Sequence, residues 1–370
     1  MTSVSPFDQI IMQRCLDLAR EALGKTAPNP MVGAVVVQDH QVVGEGFHPG
    51  AGHPHAEVLA LQEAGEAAKG ATVYVNLEPC NHYGRTPPCT DALIAAEVAR
   101  VVVGMVDPDP RVSGAGIARL REAGIEVTVG VDADVCEAFN EAFVHRSRHQ
   151  RPFGILKYAM TLDGKIAATT GHSAWITEPE TREEVHELRG ECDGVIVGGN
   201  TVRQDDPHLT THGLGRNPLR IVLSRGLDLP KEAHLWSTTE APTLVFTQVG
   251  APTDFQAHLH NQGVEVAVLE DLTPKAVMGQ LYDRGLLSVL WECGGTLAAT
   301  AMAAGAVQKV WAFIAPKIIG GQTAPSPVGD LGLVRMDQAL QLERVKWEQI
   351  GSDFLLQGYL ANEGIPLSQE

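Results

Sequence analysis

Three side chains suited to metal binding are spread along the first quarter of this chain: His55, Cys80 and Cys89. To act together they must converge, and that restricts the fold more than any other feature. One imidazole and two thiolates are the donor types a zinc ion prefers. Three protein ligands leave a fourth position for water, the mark of a catalytic rather than a structural site. Glu57, two residues beyond the histidine, sits close to the metal but is not needed as a ligand. A carboxylate there can move protons between the water and a leaving group.

The pattern His-x-Glu … Pro-Cys … Cys is the signature of zinc deaminases, which attack an amine-bearing ring carbon. The usual spacing of the cysteines is two residues; here it is eight. A structural zinc knot would favour four protein ligands and has no use for the adjacent glutamate.

At 370 residues the chain exceeds a typical single core, so two domains are expected. The formal net charge of -17 disfavours a phosphate-backbone partner, so no nucleic acid is expected. Six cysteines in such a length make no disulfide framework. Cys15, Cys136, Cys192 and Cys293 read as buried small hydrophobes. No signal peptide is visible in the first residues and no apolar run reaches membrane-spanning length, so a soluble cytoplasmic protein is expected.

The apolar spacing of Ile11, Cys15, Leu18 and Ala22 predicts a helix over 7–24, stopped by Gly24. Strands are expected at 31–37 and 41–47 as a hairpin around Asp39-His40, then a helix from His55 to Glu63. Further strands read at 71–76, 100–105 and 125–129, and further helices at 90–97, 114–123 and 132–148. This places Cys80 and Cys89 at the start of one helix, facing His55 at the start of another. The alternation argues for a three-layer α/β sandwich. His82 and Arg85, inside the cysteine spacing, suit an anionic group such as phosphate. Asn29, held between two prolines, reads as a turn residue; Asp107 and Asp109 do too.

The basic run from His145 to Arg151 marks the domain boundary, giving domains 1–148 and 149–370. In the second, strands are expected at 153–160, 193–197, 219–223, 243–247, 264–268, 287–291, 309–315, 343–350 and 353–361. Thr177-Glu-Pro-Glu reads as a capping sequence opening a helix to Arg189. An Ala-rich helix is expected from Gly294-Gly295 to Ala304. Two strand-Gly-Gly-helix junctions, Gly198-Gly199 and Gly294-Gly295, would let the backbone approach a nucleotide phosphate. Neither is a G-x-G-x-x-G fingerprint.

Taken together, Ala27-Pro-Asn-Pro-Met-Val-Gly33, His55-Ala-Glu57, Leu77-Glu-Pro-Cys-Asn-His-Tyr-Gly-Arg-Thr-Pro-Pro-Cys89, Lys157-Tyr-Ala-Met-Thr-Leu-Asp-Gly-Lys165 and Val197-Gly-Gly-Asn-Thr-Val-Arg-Gln-Asp-Asp-Pro207 resemble the bifunctional deaminase–reductases of riboflavin biosynthesis. The long cysteine spacing is characteristic of that family. The resemblance implies a cytidine-deaminase-like three-layer α/β/α sandwich followed by a dihydrofolate-reductase-like α/β domain. It also implies zinc, NADPH, a phosphorylated pyrimidine substrate and self-association into a homo-oligomer. By position, His55, Cys80 and Cys89 would bind zinc and Glu57 would shuttle protons. Asn29, His48, His82 and Arg85 would line the deaminase substrate site. Lys157, Ser173, Arg189, Leu209, His212 and Glu292 would contact the reductase substrate. Ala159, Trp175, Thr201, Asp205, Ser224, Gly294, Gly295, Thr296, Leu297, Ala298, Ala299 and Thr300 would contact the cofactor. The family commonly has Arg where this chain has His212; Arg216 and Arg220 are nearby in sequence.

Two other readings are open to the sequence. A nucleic-acid-editing deaminase with an accessory domain would bind RNA or DNA, which the acidic balance disfavours. A zinc-stabilised regulatory protein would not need Glu57.

Overall fold

A computed structural model describes residues 4–84 and 87–361. The chain divides into two compact units, Met1–Gln150 and Arg151–Glu370. Among the described residues no helix is long and apolar enough to cross a membrane.

The first unit begins with helix α1 (Pro6–Arg20), capped by Ser5 and Asp8 in a reciprocal box. Ile11, Cys15, Leu18 and Ala22 are buried as the spacing predicts, but the helix ends at Arg20, ahead of Gly24. Strands β1 (Gly33–Gln38) and β2 (Gln41–Phe47) form the expected hairpin. Asp39 and His40 both take positive φ, the backbone of a tight two-residue turn. Then follow α2 (Ala56–Ala64), β3 (Thr72–Leu77), α3 (Cys89–Ala95), β4 (Arg100–Met105), α4 (Ala115–Glu122) and β5 (Glu126–Val129). The sheet order is β2-β1-β3-β4-β5.

Helices cover both faces of this sheet. An added Cβ at Gly33 would sit 2.0 Å from Cys15 O on α1, whereas one at Gly46 would sit 2.6 Å from Ala56 O on α2. The close approach at Gly46 seats the start of α2, and with it His55, against β2. The single helix expected over 132–148 is two, α5 (Ala133–Phe139) and α6 (Glu141–His149). Asn140 interrupts them. Its side chain accepts from Met31 N and donates to Met31 O, both at 2.9 Å.

The second unit runs β6 (Phe153–Thr161), α7 (Pro179–Glu191), β7 (Gly194–Gly198), α8 (Gly199–Asp205), β8 (Leu219–Leu223), β9 (Thr243–Gln248), α9 (Thr253–Asn261), β10 (Glu265–Leu269), α10 (Pro274–Asp283), β11 (Ser288–Trp291), α11 (Gly295–Ala303), β12 (Lys309–Ala315), β13 (Leu342–Ile350) and β14 (Asp353–Leu360). Every expected strand is present; α9 and α10 lie where the sequence reading assigned nothing. The expected cap of α7 is replaced. Glu178 holds the cap position with no side-chain bond, and the buried Asp353 carboxylate accepts from Glu178 N at 2.8 Å and Thr181 Oγ1 at 2.7 Å.

The sheet order is β10-β9-β8-β7-β11-β6-β12-β14-β13. β6 to β12 pair in parallel, and β14 runs antiparallel to β12 and β13. The late strand β11 inserts between β7 and β6. Asp193 sets its register, accepting from Leu287 N at 2.7 Å and Ser288 N at 3.1 Å. Ligands bind such sheets outside the carboxyl ends of the strands, where the strand order reverses.

Candidate active sites

In the first unit the three expected ligands converge. His55 is the N-cap residue of α2, Cys89 opens α3, and Cys80 lies in the loop after β3. The donor atoms all lie within 4.8 Å of one another. His55 Nδ1 is 3.1 Å from Cys89 Sγ and 3.5 Å from Cys80 Sγ. Cys89 N donates to Cys80 Sγ at 3.2 Å and Thr90 N to Cys80 O at 3.2 Å, so the loop is folded onto the start of α3. This donor set and spacing fit one zinc ion.

The electrostatics suit a cation. The hydrogen bond from Cys89, with help from His55, pulls the Cys80 thiol down to about 4. The same bond and burial push Cys89 up. Glu57, in the first turn of α2, is buried. Burial, then the charge on Cys80, raises its carboxyl above the usual range.

Asn29 and His48 join this site. His48 is buried, and its ring meets His55 edge-on at 5.2 Å between centroids. Its Nδ1 faces the Pro54 carbonyl at 3.1 Å, and its Nε2 faces Asn29 Nδ2 at 3.0 Å. Burial lowers its pKa. In the neutral ring Nδ1 donates to the carbonyl, which leaves Nε2 to accept from Asn29. Asn29 is thus more than a turn residue. His82 is exposed and lies within electrostatic reach of Asp107 and Asp109. Arg85 lies outside the described residues.

Two supporting residues carry signals the sequence reading passed over. Glu78 is buried and accepts from four backbone N–H groups: Asp107 at 3.1 Å, Gly114 at 2.9 Å, Gly116 at 2.9 Å and Ile117 at 3.2 Å. It ties the segment between β4 and α4 to the loop that carries Cys80. Asn76, a polar residue in an apolar strand, accepts from Gly33 N at 2.9 Å and donates to Met31 O at 3.0 Å.

The second unit contains a cleft of about 1200 Å³ at the carboxyl ends of β7, β8 and β11 and along β6. Lys157, Ser173, Arg189, Leu209 and Glu292 line it, as do Ala159, Thr201, Asp205, Ser224, Thr300 and the run Gly294 to Leu297. Burial would raise Glu292, but Arg189 and Lys157 hold it at about 2. Arg189 also donates to Thr210 O at 2.9 Å. Ser173 Oγ donates to Asp205 Oδ1 at 3.2 Å, and burial raises the Asp205 carboxyl.

Four expected contacts are off this lining. Ala298 and Ala299 are buried in α11. Trp175 is 72% exposed, with the Arg182 guanidinium 4.5 Å from its ring. His212 is exposed, and its ring lies tilted against that of His186 with 4.4 Å between centroids. Arg220 cannot replace the missing cation. It is fully buried and donates to five carbonyls, those of His208, His234, Leu235, Ser237 and Ala241.

The glycine pairs also divide their work. An added Cβ at Gly295 would lie 2.5 Å from Ser326 O, and one at Gly199 would lie 3.2 Å from Leu229 Cδ2 and Ser224 Oγ. Those two glycines make room for the protein itself. A Cβ at Gly294 meets nothing within 4 Å. At Gly294 the cleft leaves open space for a close approach.

A zinc-type deaminase centre in one unit and a reductase cleft in the other define a bifunctional class. Residues 5–105 match the cytidine and deoxycytidylate deaminase zinc-binding region, and residues 152–356 match the RibD C-terminal domain. The riboflavin biosynthesis protein RibD of Synechocystis is 62% identical over 95% of this chain and 96% of its own length. RibD of Acinetobacter baumannii superposes with a TM-score of 0.87 at 37% identity, covering 96% of this chain and 99% of that one. A diaminohydroxyphosphoribosylaminopyrimidine deaminase/5-amino-6-(5-phosphoribosylamino)uracil reductase from Thermotoga maritima gives a TM-score of 0.83 at 37% identity, with coverage of 96% and 99%. The chain belongs to the RibD family, the bifunctional deaminase–reductases of riboflavin biosynthesis.

Proposed function

We propose that unit Met1–Gln150 deaminates 2,5-diamino-6-ribosylamino-4(3H)-pyrimidinone 5′-phosphate and that unit Arg151–Glu370 then reduces its ribosyl group to ribityl with NADPH. The observation that carries the first half is the convergence of His55, Cys80 and Cys89 beside buried Glu57. His55, Cys80 and Cys89 would hold the zinc ion, which when bound would supply a water ionised near neutral pH. Glu57 takes a proton at its carboxylate and passes it to the ring, then takes a second and passes it to the departing amine. Its raised pKa suits a group that must both accept and release a proton. Asn29 and His48 orient the pyrimidine, and His82 and Arg85 hold its phosphate.

In the second unit, Gly294 and the start of α11 cradle the dinucleotide, with Thr201 and Ser224 along the cleft. Lys157, Arg189 and Glu292 orient the sugar. Asp205, its carboxyl raised by burial, is placed to exchange a proton with a sugar oxygen. Leu209 bounds the substrate side of the cleft. A cytoplasmic location and self-association belong to the same reading; the support for the latter is the edge strand β13, with exposed Val345 and Trp347.

Incubating the full chain with the pyrimidine phosphate, with and without NADPH, and weighing the products tests both halves. Deamination alone is expected without NADPH, and deamination plus a gain of two hydrogens with it. Unchanged substrate under both conditions overturns the proposal.

A further inference from the structure

The eight residues between Cys80 and Cys89 stand where two are usual. A two-residue spacing is held in shape by the chain itself. A longer loop costs more entropy to close, so its shape must come from contacts outside it. Among the described residues, side-chain contacts of its two stems converge on Arg119 of α4.

Arg119 Nη1 donates to Asn81 Oδ1 at 2.9 Å, and its Nη2 donates to Asp91 Oδ1. Asn81 follows the first cysteine, and Asp91 lies two residues beyond the second. One guanidinium therefore joins both stems of the insert. Each partner passes the contact on. Asn81 Oδ1 also accepts from Thr90 Oγ1 at 3.0 Å, and Asn81 Nδ2 donates to Ala115 O at 3.4 Å. The second oxygen of Asp91 accepts from Tyr83 OH at 3.0 Å. His82 thus sits between two residues, Asn81 and Tyr83, whose side chains are both tied to this network.

The base of the network is fixed. Glu78 accepts from Gly116 N at 2.9 Å and Ile117 N at 3.2 Å at the start of α4, and Ile117 and Leu120 are buried beneath that helix. Arg119 lies on the outer face, with 40% of its side chain exposed. Arg121 of the same helix donates elsewhere, to Val127 O at 3.2 Å. An exposed ion pair contributes little to stability. The effect of Arg119 lies in where it puts the loop.

We propose that Arg119 is a positioning residue for deamination: by joining Asn81 to Asp91 it aims His82 at the substrate phosphate. The inference rests on the reading of the insert as the grip on that phosphate. With its guanidinium occupied by Asn81 and Asp91, Arg119 acts through His82. An imidazole already held in place binds a phosphate without the cost of ordering its loop.

The test is steady-state ammonia release by the full chain from the pyrimidine riboside 5′-phosphate and from the same riboside without phosphate. Wild type is compared with Arg119→Met and Arg119→Lys. Arg119→Met should raise KM for the phosphate by about 10-fold, the order of one charged hydrogen bond. Its kcat and its KM for the riboside should match wild type, as should zinc content and melting temperature. Arg119→Lys keeps the charge and should recover part of the loss. An unchanged KM for the phosphate in Arg119→Met overturns the assignment. A fall in kcat on both substrates together with zinc content also overturns it, because that is the mark of a merely structural role. Wild-type chain with equal KM for the two substrates overturns the phosphate reading of the insert itself, a distinguishable result.

Discussion

Arg189 and Glu292 meet inside the cleft as a two-pronged ion pair, with Nε–Oε1 at 2.6 Å and Nη2–Oε2 at 3.0 Å. Lys157 Nζ approaches the same carboxylate at 3.5 Å. One buried carboxylate therefore compensates two cations. Glu292→Ala would strand both, at a cost of about 3–5 kcal/mol. The expected result is a lower denaturation midpoint together with lost NADPH oxidation. A variant as stable as wild type would show that the pair is not compensating charge.

The same pair sets a pH dependence. Folded Glu292 is held at about 2, below its ordinary 4.5. The unfolded carboxyl therefore binds its proton first as pH falls. The stabilisation is complete above the unfolded value and is lost as pH drops through about 2. Glu292→Gln should flatten this part of the melting-temperature profile relative to wild type; an unaltered slope would count against the assignment.

Gly294 and Gly295 are adjacent but should respond oppositely to alanine. At Gly295 the new Cβ meets backbone, Ser326 O, at 2.5 Å. Overpacking of this kind costs about 1–3 kcal/mol, read as a lower melting temperature. Gly294→Ala, with φ of -68° and open space around it, should keep wild-type stability and bind NADPH more weakly. Equal melting temperatures for the two variants would refute the division.

Glu78 holds four backbone N–H groups. Glu78→Gln can accept with one oxygen only, so at least two of those donors lose their partner. The expected loss is on the order of 3 kcal/mol, with weaker zinc retention because Cys80 lies two residues along the same loop. Zinc content after dialysis, set beside the denaturation midpoint, reads both effects.

Glu57→Gln keeps the shape of the side chain and removes its proton shuttle. Zinc content should match wild type while ammonia release falls by at least about 100-fold. Cys80→Ser should lower zinc content as well. Full ammonia release by Glu57→Gln would remove it from the mechanism. Chelation should abolish ammonia release and leave NADPH binding by the second unit unaltered.

Much of this is legible in the sequence. The spacing of Ile11, Cys15 and Leu18 marks α1, and Asp39-His40 marks the hairpin, because periodicity and turn chemistry are local. The metal centre was legible for a chemical reason: a His, two Cys and a Glu have few other joint uses. What was misplaced depended on distant partners. The break at Asn140 exists because its amide binds Met31, more than 100 residues away in the chain. The start of α7 is held by Asp353 rather than by a local cap.

The sequence by itself determined the ligand types, the order of the strands, and the family. His55 reaches Cys80 and Cys89 with α2 pressed onto β2, a contact for which Gly46 leaves room. Tertiary structure alone decided that β11 inserts between β7 and β6, that Glu292 pairs with Arg189, and that Gly294 faces the cleft while Gly295 faces Ser326. It also withdrew Arg220 into the core. Each of these turns on which surfaces are buried against each other across long sequence separations. Local pattern records a residue's chemistry and its period, not the partner that burial will bring to it.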